Sequence, residues 1–163
     1  MSGRAWVFGD RVACRQVLAE EYLDQDAAAA SAFVMASLDP EFARNVAPGD
    51  FIVAGTHFAA AATHRIIPAA LQRLGIAAVI ARSFEPFFLR AALNIGLPAL
   101  VVEETAAVKT GDRLRVDIEA HIVANLSSGD RYVIRNVDDR AIGILRAGGI
   151  AALAQRPRAH VRV

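Results

Sequence analysis

A chain of 163 residues fits a single domain, and a hydrophobic share of 55% excludes an intrinsically disordered polymer. Its 18 basic and 17 acidic residues leave a formal charge of +1, without the excess of basic charge that marks a nucleic-acid binder. All the basic residues but Lys109 are arginines, which codon usage explains as readily as carboxylate or phosphate binding does.

In chain order, residues 5–8 (Ala-Trp-Val-Phe) predict a short first strand ending at Gly9-Asp10. Residues 27–38 combine strong helix formers with Phe33, Val34, Ser37 and Leu38 on one face, and Asp39-Pro40 ends that helix. One further turn is expected over Glu41 to Asn45. Pro48-Gly49-Asp50 then leads into a buried strand, Phe51 to Ala54. Thr63 to Leu74 reads as a helix, with Ile67, Leu71 and Leu74 on one face and Gly75 as its stop. Ala77 to Ala81 is the next strand, and Ser83 is placed to cap a helix over Phe84 to Leu93. Leu97 to Val102 follows as a strand. Strands alternating with helices at this spacing predict parallel pairing through right-handed crossovers. The chain then changes character. Leu114, Val116 and Ile118 alternate strictly, and His121 to Asn125 and Tyr132 to Arg135 continue as antiparallel strands, with Ser128-Gly129-Asp130 as a turn. Asp138-Asp139 caps a short helix, Ala141 to Ala147, stopped by Gly148-Gly149. Residues from Arg156 onward read as a loose basic tail. The expectation is one α/β domain over 1–163, a parallel core with an antiparallel C-terminal meander.

Cys14 is the only cysteine, so this chain builds no internal disulfide, no structural zinc site and no cysteine-held iron–sulfur cluster. Lying between Arg11 and Arg15, it reads as a buried or half-buried cysteine, with a reactive thiol as the alternative. Asp10 and Arg11 interrupt any apolar signal core at the start. The uncharged run from Phe51 to Thr63 is shorter than the roughly 20 apolar residues a membrane span needs. A soluble cytoplasmic protein, with neither membrane nor nucleic acid as partner, is expected.

Ordered segments carry a resemblance that runs over nearly the whole chain. They are Phe8-Gly-Asp10, Glu21-Tyr-Leu23, Leu38-Asp-Pro-Glu-Phe-Ala43, Pro48-Gly-Asp-Phe-Ile-Val-Ala-Gly55, Ala78-Val-Ile-Ala-Arg-Ser-Phe84, Arg90, Asn94-Ile-Gly-Leu-Pro98 and Gly111-Asp-Arg-Leu-Arg-Val-Asp117. The chain resembles the small subunit of 3-isopropylmalate dehydratase, the swivelling domain of the aconitase superfamily. That resemblance implies a three-layer β/β/α domain closing over a separate large subunit. The large subunit carries a 4Fe-4S cluster, and the pair dehydrates and rehydrates a 2-hydroxy di-acid. No cofactor is expected in this chain itself.

The departures fall on the chemical loops. Where the family reads Asn-Phe-Gly-x-Gly-Ser-Ser-Arg-Glu-His-Ala-Pro, this chain reads His57-Phe58-Ala59-Ala60-Ala61-Ala62-Thr63-His64-Arg65-Ile66-Ile67-Pro68. Ala62 stands where the resemblance implies the serine base, and His64 where it implies the substrate-binding arginine. An alanine methyl accepts no proton. Ala59 and Ala61 replace two glycines and lose easy access to positive φ, so an altered loop path is expected. In the first loop, Ala13 and Arg15 replace two acidic residues. Thr63, His64 and Arg65 are the candidate substrate contacts: Thr63 as helix cap or substrate contact, His64 as acid–base replacement, Arg65 as carboxylate partner. His57 and His64 without further ligands make a poor metal pair. Phe84, Phe87, Phe88 and Leu93 read as core and interface. Two functions follow. The first is a hydro-lyase subunit, active only with a cluster-bearing large subunit. The alternative is a catalytically degenerate swivelling domain with a structural, regulatory or anion-binding role, assembling as a homo-oligomer.

Overall fold

The computed structural model describes residues 1–157, so the expected basic tail lies, from 158 onward, outside the described residues. Short apolar segments set the architecture. Strands β1 (Ser2–Val7), β2 (Phe51–Val53), β3 (Ala78–Ala81) and β4 (Ala99–Val101) pair in parallel. Strands β5 (Arg113–Asp117), β6 (Ile122–Asn125) and β7 (Arg131–Val133) pair antiparallel. The seven form one sheet in the order β4-β3-β2-β1-β5-β6-β7. β1 joins the halves: Ala5, Trp6 and Val7 pair with β2, while Ser2, Gly3 and Arg4 pair with β5. The mixed α/β fold, a parallel core followed by an antiparallel meander, is as expected.

Period-two alternation sends neighbouring residues of the parallel strands into two cores. Ile52, Ala54, Val79 and Ala81 face the helical side. Three short helices come first in the chain, α1 (Cys14–Val17), α2 (Ala27–Ser31) and α3 (Phe42–Asn45); the strand residues meet Ile67, Ala70 and Leu71 of α4 (Ile66–Leu74) and Phe88 and Ala92 of α5 (Pro86–Ile95). Phe51, Val53, Ala78 and Ile80 face the other way, against Leu114, Val116, Val123 and Tyr132 of the meander. β5 shows why the sheet curls over that second core. Its Leu114 and Val116 are buried while Arg113, Arg115 and Asp117 remain in water. The layers are helix, parallel sheet, meander.

Helix boundaries differ from expectation at several ends. The helix expected over 27–38 is only Ala27–Ser31, capped by the Asp26 carboxylate, which accepts from Ala29 N–H at 2.8 Å. Met35 takes φ 59° and donates its N–H to the Val17 carbonyl, so burial of Val34 and Met35 overrides the local helix propensity. Phe33 stays partly exposed and stacks on Tyr22 at 4.0 Å. α4 starts three residues later than expected, and Glu85 rather than Ser83 is the N-cap of α5, with Pro86 at its first position. Gly75 ends α4 as expected, Gly96 ends α5 at Ile95, two residues past Leu93, and the Asp138 carboxylate caps, as expected, a helix that starts at Asp139, two residues before Ala141.

Candidate functional site

At the C-terminal ends of β1, β2 and β3, three loops are stitched together through their backbones. The first-loop Asp10 carboxylate accepts from Thr56 N–H at 2.8 Å, and Arg11 N–H donates to the Thr56 carbonyl at 2.7 Å. A Cβ at Gly55 would collide with that carboxylate, so any larger residue there displaces Asp10 from its bond to Thr56. Further along, Ala60 N–H donates to the Val12 carbonyl at 3.2 Å and Cys14 N–H to the Ala60 carbonyl at 2.9 Å. The third loop grips from the other side. His57 N–H donates to the Ser83 hydroxyl at 2.7 Å, Phe58 N–H to the Ser83 carbonyl at 3.0 Å, and Glu85 N–H to the Phe58 carbonyl at 2.9 Å. Ser83, expected as a helix cap, serves instead as acceptor for the second loop. Phe58 anchors the assembly, with its ring edge-on to Phe84 and Phe88 at 6.0 and 5.4 Å. Phe84 and Phe88 are buried as expected, and Phe87 is half-buried.

The loop between β2 and α4 keeps left-handed backbone at His57 (φ 55°), Ala59 (φ 61°) and Ala61 (φ 62°). Ala59 and Ala61 thus take up the backbone region that glycine adopts freely, and the interloop hydrogen bonds hold them there. A left-handed L-residue costs about 1–2 kcal/mol, so the loop is strained. Ala61 is exposed, whereas Ala59 is fully buried. Ala61→Gly is expected to raise stability by about 0.5–1 kcal/mol, strain relief outweighing the extra entropy of the unfolded chain. Ala59→Gly should be close to neutral, because it also gives up a buried methyl worth about 0.8 kcal/mol. Denaturant midpoints of the two variants, measured side by side, check that ordering.

Phe8, Gly9, Asp10, Gly55, Arg82 and Thr105 line a cavity of about 240 Å³ at these strand ends, the place where open α/β sheets bind ligands. Arg82 is exposed and makes no ion pair among the described residues. On the second loop, the backbone N–H groups of Thr63, His64, Arg65 and Ile66 donate to no other described residue. They open the first turn of α4, where an anion is favoured.

The candidate residues Thr63, His64 and Arg65 are all exposed and consecutive at this turn. Thr63 does not cap α4. Its Oγ1 lies 3.1 Å from His64 Nδ1, and Arg65 holds the N-cap position in helical geometry with no side-chain cap. Ala62 is buried, and Cys14 is half-buried. No cluster of three or more metal-ligating side chains occurs among the described residues. Two features escaped the sequence reading. Arg82 directly follows a strand, which was its available signal. The second is a pair: His57 Nε2 lies 3.5 Å from Glu85 Oε2, the same oxygen that accepts from Ala61 N–H at 3.4 Å. These residues are 28 positions apart, and no local pattern links them.

Curated relatives match this chain nearly end to end. A 3-isopropylmalate dehydratase small subunit of Archaeoglobus fulgidus is 38% identical over 157 residues, covering 96% of this chain and 98% of its own. The chain belongs to the family of 3-isopropylmalate dehydratase small subunits. Another such small subunit, from Methanopyrus kandleri, is 39% identical over 161 residues and covers 96% of this chain and 95% of its own. The family also reaches a methanogen homoaconitase small subunit of Methanothermobacter thermautotrophicus, 36% identical over 149 residues, with 91% of this chain and 86% of that one covered. A crystal structure of 3-isopropylmalate dehydratase from Methanocaldococcus jannaschii superposes with a TM-score of 0.88 at 30% identity, covering 94% of this chain and 92% of that one. No family model matches the chain.

Proposed function

We propose that this chain is the small subunit of a cytoplasmic two-subunit hydro-lyase, a single swivelling domain that closes the three-loop site over a large subunit carrying a 4Fe-4S cluster. The observation that carries this reading is the joined loop set at the strand ends: among the described residues the Arg82 guanidinium there makes no ion pair, and four N–H groups of the second loop donate to no residue. Dicarboxylate binding is the chemistry such a site favours. The lone thiol, Cys14, is too little to hold such a cluster, which fits its placement on the partner. When bound, the cluster supplies Lewis acidity toward a hydroxyl. This chain's own residues bind and orient the acid: Arg82 on one carboxylate, the Thr63–Ile66 amides with Thr63, His64 and Arg65 around the other.

Relatives named as dehydratase and homoaconitase small subunits support a 2-hydroxy acid with at least two carboxylates as the substrate, isopropylmalate being the first to try. The test mixes this chain with the cluster-loaded large subunit from the same source and follows isopropylmalate dehydration and that of related 2-hydroxy acids. Turnover above that of the large subunit alone is expected. A stable complex that turns over none of them overturns the hydro-lyase reading in favour of a structural or regulatory subunit.

A further inference from the structure

The His57–Glu85 pair is a built arrangement, and the packing of the loops does not require it. Phe58 and the interloop backbone hydrogen bonds already fasten the segment. Four observations bear on it. His57 is held in left-handed backbone, with its N–H fixed by the Ser83 hydroxyl, so its side chain leaves the loop in one defined direction. The ring nitrogen Nε2 faces a carboxylate at 3.5 Å. That carboxylate is itself oriented: it sits at the N-cap of α5, three-quarters buried, and it accepts from Ala61 N–H, one residue before buried Ala62. The other ring nitrogen, Nδ1, has no hydrogen-bond partner among the described residues. A carboxylate close to one imidazole nitrogen favours the proton on that nitrogen and leaves the opposite one free to accept.

Resting on the hydro-lyase reading above, we propose that His57, oriented by Glu85, is the proton acceptor of this site. His57 Nδ1 takes the proton from the substrate carbon next to the hydroxyl-bearing one. The C–H electron pair becomes the new C=C π bond, the C–O bond breaks, and hydroxide leaves. His57 then releases its proton, and proton and hydroxide together are the water lost. In hydration the same nitrogen returns the proton to carbon. Glu85 is a positioning residue that acts through the ring. The charged groups on the segments around the pair are Asp10 and Arg11 on the first loop, His64 and Arg65 on the second, and Arg82 on the third.

The test uses the assembled two-subunit enzyme with isopropylmalate and compares wild type, His57→Asn and Glu85→Gln. His57→Asn is expected to assemble normally, to hold KM within about threefold and to lower kcat roughly 100-fold, within the usual range for loss of a general base. Glu85→Gln should lower kcat roughly tenfold and move the acid limb of the kcat–pH profile, a change that a purely structural residue would not produce. Wild-type turnover with kcat and pH profile unchanged in His57→Asn overturns the proposal while leaving the hydro-lyase reading intact. An assembled wild-type complex with no turnover overturns both.

Discussion

Replacing Asp50 with alanine is expected to destabilise the fold by about 3 kcal/mol. Asp50 is buried where the chain enters β2. Its carboxylate accepts from Arg4 N–H at 3.0 Å, from the Trp6 indole N–H at 3.0 Å and from Ala47 N–H at 2.9 Å. The Arg4 guanidinium lies 3.8 Å away. One side chain thus ties β1, the turn before β2 and an exposed cation together. Hydrogen bonds to a charged group contribute about 1.5–3 kcal/mol each, and truncation leaves three donors unmatched, of which solvent recovers a part.

The same contacts predict an acid limb. Burial pushes the Asp50 carboxyl up, but the Trp6, Ala47 and Arg4 hydrogen bonds and the Arg4 charge outweigh it, and the net direction is down. A carboxylate with a lowered folded-state pKa binds fewer protons folded than unfolded. Its contribution is therefore complete above the unfolded value of about 3.9 and disappears as pH falls through the lower folded value. Wild type should lose stability below about pH 4 more steeply than Asp50→Asn does. Trp6 is the sole tryptophan, so its fluorescence follows unfolding directly. Equal midpoints for wild type and Asp50→Ala would remove Asp50 from this role.

The parallel core was legible because Phe51 to Ala54, Ala77 to Ala81 and Leu97 to Val102 are short apolar runs bounded by Pro and Gly, and burial on both faces leaves such runs no alternation to blur. The Ala27–Ser31 helix was overread because helix propensity is local. The break at Met35 comes from a hydrogen bond to Val17, 18 residues away. The site divides in the same way. The family resemblance singles out the second loop as the candidate site, its chemical positions falling on residues 57–68. The loop's backbone path was not legible, since glycine-for-alanine reasoning sees only intrinsic preference. The donors and acceptors that hold Ala59 and Ala61 at positive φ belong to loops that sequence distance hides: Val12 and Ser83 for the segment as a whole, and Glu85 for Ala61. Interloop pairing, such as that of His57 with Glu85, is legible only after folding.

Substitution of Arg82 is expected to separate di-acid binding from mere anion tolerance. Arg82 closes the cavity at the end of β3, its backbone N–H donates to the Gly55 carbonyl at 3.0 Å, and its guanidinium has no acidic partner among the described residues. A charged fork without a partner at a ligand-binding strand end presents two parallel donors to a carboxylate. In the assembled enzyme, Arg82→Met keeps the aliphatic stem and removes the fork. KM for the di-acid is expected to rise roughly 100-fold, about 2.7 kcal/mol, with a smaller change in kcat. Arg82→Lys should recover only part of that loss, since a point charge does not reproduce bidentate geometry. Because the side chain is exposed, the unfolding midpoint should stay within about 0.5 kcal/mol of wild type, which keeps a binding defect distinct from a folding defect. Unchanged KM in Arg82→Met would shift carboxylate recognition wholly to the Thr63–Ile66 turn. Arg65→Met would then carry the loss, so the paired measurement decides which end of the site reads the acid.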